Sequence, residues 1–360
     1  MHPEAGWVGL APTFEGPTRG VPANMGSMHA EDLWNGESFG ARLSRALLTP
    51  ASWLYAIGWQ GYLALYRLGI KKPKAPHRPV VCVGNLISGG SGKTPATVHT
   101  ADVLRDLGRE VAISCSGYGS PASEAARLAP EGELRAAEWG DEAAMIRWLR
   151  PELPLIVGRR RVLAAEICHR EFPGSVLLMD DGFQHLPLEK HLSILIEGPG
   201  KNRRCLPAGP YREPWQNRTR ADLTIAAGSG DPGGFRLAAA AESFVGPSGA
   251  AIDLAGEISV LCAIGRPGEF LESLRRRRLT AGRVSVLPDH DPLAAGNLLD
   301  GFRHDLPIVV TAKDWMKLRD RPDVGGYRFV IAMREIEIEP RDAFRGWLEK
   351  RLNGIPNEEA

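Results

Sequence analysis

Apolar positions run through this chain in short blocks of three to six residues, set apart by segments whose apolar residues recur at helical spacing. The clearest block, Val80-Val81-Cys82-Val83, reads as a buried strand and empties into Gly84-Asn85-Leu86-Ile87-Ser88-Gly89-Gly90-Ser91-Gly92-Lys93-Thr94. Pro95 to Leu107 then carries Val98, Ala101, Val103, Leu104 and Leu107 at helical spacing and stops at Gly108, a glycine suited to end a helix. Further blocks at 111–114, 155–157, 175–179 and 192–196 alternate with helical stretches, as do 258–263, 284–287, 308–311 and 328–332 in the second half. Such alternation predicts an α/β protein with mostly parallel sheets covered on both faces.

A different pattern precedes the first strand. Ala46 to Tyr66 holds no charged residue and is rich in Leu, Trp, Tyr and Ile. Thr49 and Pro50 look like an N-cap and a first helical residue, so a helix is expected from Pro50 to Leu68. At ~1.5 Å per residue it would be roughly 28 Å long, close to the ~30 Å hydrocarbon thickness of a bilayer. Gln60, two glycines and the Trp and Tyr content suit the water–lipid boundary, and Arg42, Arg45, Arg67, Lys71, Lys72 and Lys74 flank the segment. Interfacial helix, transmembrane span and ordinary core helix all stand open at this point.

The formal net charge of +1 gives no global basic field, which disfavours a general nucleic-acid binder. Five scattered cysteines, Cys82, Cys115, Cys168, Cys205 and Cys262, form no CxxC pair and suggest a reducing compartment without structural zinc. The first forty residues, rich in Gly, Pro, Ala and Glu, read as a mobile leader, and no secretory signal begins the chain.

The chemistry concentrates around the first strand. Backbone N–H groups of Ser88, Gly89, Gly90, Ser91 and Gly92 can wrap phosphates, with Lys93 on the β/γ-phosphates of a nucleoside triphosphate and the Thr94 hydroxyl on Mg²⁺. Ile87 stands where the usual pattern has glycine, and Ser88 stands where a membrane-recruited switch ATPase would carry its signature lysine. Val176 to Met179 empties into Asp180-Asp181, where one aspartate of a Walker-B pair would serve Mg²⁺ and the other a water or a substrate hydroxyl. Gly140-Asp141-Glu142 offers an acid for the proton of an attacking hydroxyl, although Asp-Glu is also an ordinary first-turn pattern of a helix.

Taken in order, Gly89 to Pro95, Gly117-Tyr118-Gly119, Gly140-Asp141-Glu142, Asp180-Asp181-Gly182-Phe183-Gln184-His185, Leu206-Pro207-Ala208-Gly209-Pro210 with Arg212-Glu213-Pro214, Pro288-Asp289-His290 and Thr311-Ala312-Lys313-Asp314 resemble the tetraacyldisaccharide 4'-kinase family. The resemblance covers about Leu47 to Phe344. It implies a P-loop fold of two α/β/α lobes joined by a short β-linker and preceded by a membrane-associated helix. The divisions that follow are a leader over 1–40, a membrane-associated helical segment over 41–74, a nucleotide lobe over 75–232, a linker over 233–248, a second lobe over 249–350 and a tail over 351–360.

The same resemblance implies ATP and Mg²⁺ as cofactors and the lipid A disaccharide precursor as substrate. It places the chain at the cytoplasmic face of the bacterial inner membrane, peripheral or held by a single helix, in contact with lipid and without an obligate protein partner. Asp141 would be the base, His290 would orient it, and Lys93 would neutralise phosphate charge; Thr94 with Asp180 or Asp181 would serve Mg²⁺, and Asn85, His185 and Arg212 would contact the acceptor. The alternative reading is a P-loop ATPase that switches partners and phosphorylates nothing. Departures from the family pattern are Cys115-Ser116, Asp291 and Ala312. Arg275 to Arg278 read as a solvated face or as an attraction for anionic lipid.

Overall fold

The computed structural model describes residues 30–89, 92–198, 200–228, 233–265, 267–289 and 291–355. Gly90, Ser91 and His290, with residues 1–29 of the expected leader and 356–360 of the expected tail, lie outside the described residues. At the end of the expected leader, α1 spans Ala30–Asn35, and α2 spans Phe39–Arg67.

Helix α2 starts eleven residues before the expected Pro50, because Ser38 supplies the cap, its hydroxyl accepting from Ala41 N at 3.2 Å. Pro50 therefore sits inside the helix. Next to it, the Thr49 hydroxyl donates to the Arg45 carbonyl at 2.7 Å. No helix among the described residues is long and apolar enough to cross a membrane. Nor is α2 a core helix: it buries Ala41, Ser52 and Leu63 while Phe39, Leu43, Leu47, Leu54 and Ile57 stand exposed along one stripe.

The nucleotide half follows, with β1 (Val80–Gly84), α3 (Lys93–Asp106), β2 (Val111–Cys115), β3 (Arg127–Leu128), α4 (Ala136–Trp139), α5 (Asp141–Leu149), β4 (Leu155–Val157), α6 (Arg161–Glu171), β5 (Val176–Asp180), β6 (Leu192–Glu197) and β7 (Leu223–Ala227). After it come β8 (Phe235–Val245), β9 (Glu257–Cys262), α7 (Pro267–Arg276), β10 (Thr280–Val286), β11 (Ile308–Thr311), α8 (Ala312–Leu318), β12 (Phe329–Glu339) and α9 (Arg341–Asn353). Every residue of β1, β2 and β5 is buried, as strands covered by helices on both faces require.

All twelve strands form one sheet in the order β10-β9-β11-β12-β8-β7-β6-β1-β5-β2-β4-β3. Pairing is parallel except for β8 with β12 and β3 with β4. The expected linker is thus a strand of the sheet itself, with β8 parallel to β7 on one side and antiparallel to β12 on the other. Strand β1 lies between β6 and β5, with Val83 opposite Asp180. The exits of β1 and β5 are therefore neighbours, which sets the phosphate loop beside the aspartate pair.

Candidate phosphoryl-transfer site

Two close backbone approaches build the floor of the site. A Cβ on Gly84 would stand 2.7 Å from the Phe183 Cβ, so only glycine lets the loop after β1 pass the Asp-Asp-Gly-Phe turn. Gly140, at φ +90°, packs against the backbone of Gly117, where a Cβ would come within 3.1 Å. That contact joins the Gly-Tyr-Gly turn after β2 to the first turn of α5.

Above this floor opens a cavity of about 1510 Å³. Lys93 and Thr94 line it at the N-terminus of α3, facing Glu142, Asp181 and Arg212. The left-handed Gly92 (φ +79°) precedes the helix, so its first N–H groups open toward the same space.

Asp180 and Asp181 have separate environments. Asp180 is buried and accepts from Thr94 Oγ1 and Thr97 Oγ1, both at 2.9 Å. Burial raises its pKa, and the neighbouring Asp181 charge adds to the rise. Asp181 takes a left-handed backbone (φ +53°) and receives both terminal nitrogens of Arg212, at 2.8 and 3.0 Å, with Lys93 Nζ at 3.7 Å. Desolvation would raise its pKa, but Lys93 and Arg212 outweigh that and hold it at about 2. The Arg212 guanidinium also donates to the Asn85 side chain, and the Tyr55 hydroxyl of α2 donates to the Arg212 carbonyl at 2.8 Å. Arg212 therefore connects the exposed helix to the phosphate site.

The first turn of α5 divides differently from expectation. Asp141 is buried, with its Oδ1 accepting from Glu142 N at 3.0 Å and its Oδ2 at 3.4 Å from Lys317 and 3.6 Å from Lys313. Glu142 is the acid that lines the cavity. Burial pushes it up to about 7, with the Asp180 charge contributing next. Its role went unassigned in the sequence, where only the acid pair itself was visible.

His185 and Asn85 sit behind the cavity wall. His185 Nε2 is buried without a hydrogen-bond partner among the described residues, and burial, with Arg161 and Lys190 nearby, brings its pKa down to about 4. The ring is neutral at physiological pH. Arg161, which no motif flagged, is buried at the start of α6 and donates to the Asp180 carbonyl at 2.7 Å and to Ser114 Oγ at 2.9 Å. Its only signal was the Arg159-Arg160-Arg161 run after β4. Asp314, in contrast, is structural and bonds Thr311 at the start of α8, with Thr311 Oγ1 donating to Asp314 Oδ2 at 2.7 Å. Arg275 to Arg278 are all exposed, as expected of a solvated face, and Arg277 also donates to the Glu242 carbonyl.

The oxygen donors here suit Mg²⁺. Among the described residues no three His, Cys, Asp or Glu side chains cluster as a complete metal site. A Mg²⁺ ion that keeps waters and phosphate oxygens needs only one or two carboxylates. The Asp180 charge raises the proton affinity of Glu142, a repulsion that a cation bound at the two carboxylates would relieve. The Thr94 hydroxyl gives its proton to Asp180 and keeps lone pairs for the metal.

The sequence matches the family model of tetraacyldisaccharide-1-P 4'-kinase, LpxK, over residues 44–353. A tetraacyldisaccharide 4'-kinase of Shewanella baltica (strain OS195) is 36% identical over 287 residues, covering 77% of this chain and 83% of that protein. One from Polaromonas naphthalenivorans (strain CJ2) is 31% identical over 338 residues, covering 90% and 96%. In fold, the chain is similar to the "apo" form of LpxK from Aquifex aeolicus, solved in complex with ATP, with a TM-score of 0.71 at 24% identity over 85% of this chain and 99% of that one. With the family model covering most of its length and these relatives matching along it, this chain belongs to the tetraacyldisaccharide-1-P 4'-kinase (LpxK) family.

Proposed function

We propose that the protein transfers the γ-phosphoryl group of ATP to the 4'-hydroxyl of the tetraacylated glucosamine disaccharide 1-phosphate precursor of lipid A, at the cytoplasmic face of the inner membrane. The observation that carries this reading is the continuity from α2 to the phosphate loop: Tyr55 bonds the Arg212 backbone, and the Arg212 side chain bonds the Asp181 carboxylate that faces Lys93. A lipid acceptor held at an interfacial helix thereby meets a triphosphate held at the loop. The stripe of Phe39, Leu43, Leu47, Leu54 and Ile57 lies along one helical face, the form of a helix lying in the interface rather than through it.

Phosphoryl transfer asks for positioning and charge stabilisation more than covalent chemistry. Lys93 and the N–H groups at the start of α3 bind the β- and γ-phosphates, and Arg212 adds positive charge on the acceptor side. Thr94, Asp180 and Glu142 would hold Mg²⁺, which when bound neutralises charge on the phosphate oxygens. Asp141, buried just outside the cavity lining, would take the proton of the 4'-hydroxyl as the family pattern implies, with His290 in a supporting role. Asp181 lies between the charges of Arg212 and Lys93, and Asn85, behind the cavity wall, accepts from the Arg212 guanidinium and holds it toward the acceptor side.

Purified protein incubated in detergent with γ-labelled ATP and the precursor should label the lipid, and Asp141→Asn should abolish most of that labelling. ATP hydrolysis stimulated by a protein partner, with unlabelled lipid, would instead support the partner-switching ATPase. No feature of the site favours that second reading.

A further inference from the structure

We infer that Lys317 is a positioning residue for Asp141, a buried cation that fixes the carboxylate of α5 to the C-terminal half of the molecule. Its side chain on α8 is only 9% exposed, with the ammonium 3.4 Å from Asp141 Oδ2 and donating to the Asp291 carbonyl at 2.9 Å. Lys313, one turn earlier on the same helix face, lies 3.6 Å from the same oxygen and 3.6 Å from Asp289 Oδ1. Asp141, at the N-terminus of α5, is thus tied by α8 to the segment on either side of position 290.

The two lysines differ in what they can do. Lys313 lines the cavity and is 20% exposed, so an incoming phosphate competes for its ammonium. Lys317 stands outside the cavity lining and keeps its hold on Asp141 while the nucleotide is bound. A carboxylate that must accept a proton from a hydroxyl needs a fixed direction, and misplacement of about 1 Å costs on the order of 100-fold in rate. An ammonium held by a backbone carbonyl supplies that direction, because it cannot follow the carboxylate if the carboxylate rotates.

The inference rests on the reading of Asp141 as proton acceptor, and a double-mutant cycle separates the two claims. Turnover and the KM for ATP would be measured in the full-length wild type, Lys317→Met, Lys317→Arg, Asp141→Asn and the double variant, with the Tm of each recorded. Lys317→Met should lower kcat about tenfold with KM for ATP within about twofold, and Lys317→Arg should recover at least half of that loss, since a guanidinium reaches both oxygens. Asp141→Asn should lower kcat by about 100-fold or more. In its presence Lys317→Met should change kcat by less than about twofold, because residues that act as a unit are not additive. Asp141→Asn also strands a buried ammonium, so the double variant should melt above it. Losses that multiply in the double variant, or wild-type kcat in Lys317→Met, would overturn the role of Lys317 alone. Wild-type kcat in Asp141→Asn would overturn the role of Asp141, and the positioning role with it. Should Lys317→Met not fold, Lys317→Arg takes its place in the same cycle, with a partial loss that vanishes in the Asp141→Asn background as the expected result.

Discussion

Replacing Asp181 by Asn isolates the charge that organises the phosphate site. The substitution keeps a residue type that tolerates the left-handed backbone at φ +53°, so strain is not added to the loss of charge. What disappears is a carboxylate that binds both terminal nitrogens of Arg212 and lies 3.7 Å from Lys93. A carboxyl held at about 2, against an ordinary value of 3.8, stabilises the fold by about 2.4 kcal/mol at pH 7. The group is about a quarter exposed, so this figure is an upper value for the pair. With an unfolding entropy of ~2.1 cal/mol/K per residue, a 360-residue chain should melt about 3 °C lower in the variant. Because the folded pKa is depressed, the contribution is complete above pH ~4 and falls as pH drops toward 2. The difference between wild type and Asp181→Asn in urea unfolding should therefore be about half its neutral value at pH ~3. A difference that stays constant between pH 7 and 3, or a Tm unchanged at neutral pH, would refute the electrostatic role.

Three further perturbations test other parts of the site. Lys93→Ala removes an ammonium that is mostly buried at the phosphate loop, and calorimetry should show ATP bound about 10–100-fold more weakly. Glu142, pushed up to about 7 from 4.5, holds its proton longer in the folded state than in the unfolded chain, so wild-type stability should decline as pH rises from about 4.5 to 7 and level off above. Glu142→Gln should flatten that decline in the same urea titration. Ile57→Asp places a charge on the exposed stripe of α2 and should reduce co-sedimentation with anionic vesicles while leaving the Tm within about 1 °C, because the side chain is largely exposed.

The central strands were legible because a fully buried parallel strand is a continuous apolar run, and the helix expected after the first of them runs from Lys93 to Asp106. Asp180 was legible for the same reason, standing at the end of Val176 to Met179. The start of α2 was misread because Thr49-Pro50 has the form of a cap, whereas Ser38 caps the helix and Pro50 lies within it. Glu142 and Asp141 could not be told apart, since neighbouring residues on a helix point about 100° apart and tertiary packing decides which one meets the cavity. Arg161 and Lys317 were invisible for a related reason: each acts through a partner distant in sequence, Asp180 for one and Asp141 for the other. The role of β8 as a strand within a single sheet also depends on such pairing, with β12 almost a hundred residues later.

The position of the transferred phosphate tests the account most directly. The lipid product formed from unlabelled ATP by the purified protein would be isolated and its ³¹P–¹H correlations recorded. A new phosphomonoester signal correlated with the proton on carbon 4' of the distal glucosamine is the predicted result. A new phosphate at any other position, or ATP consumed with the disaccharide returned unchanged, would contradict it.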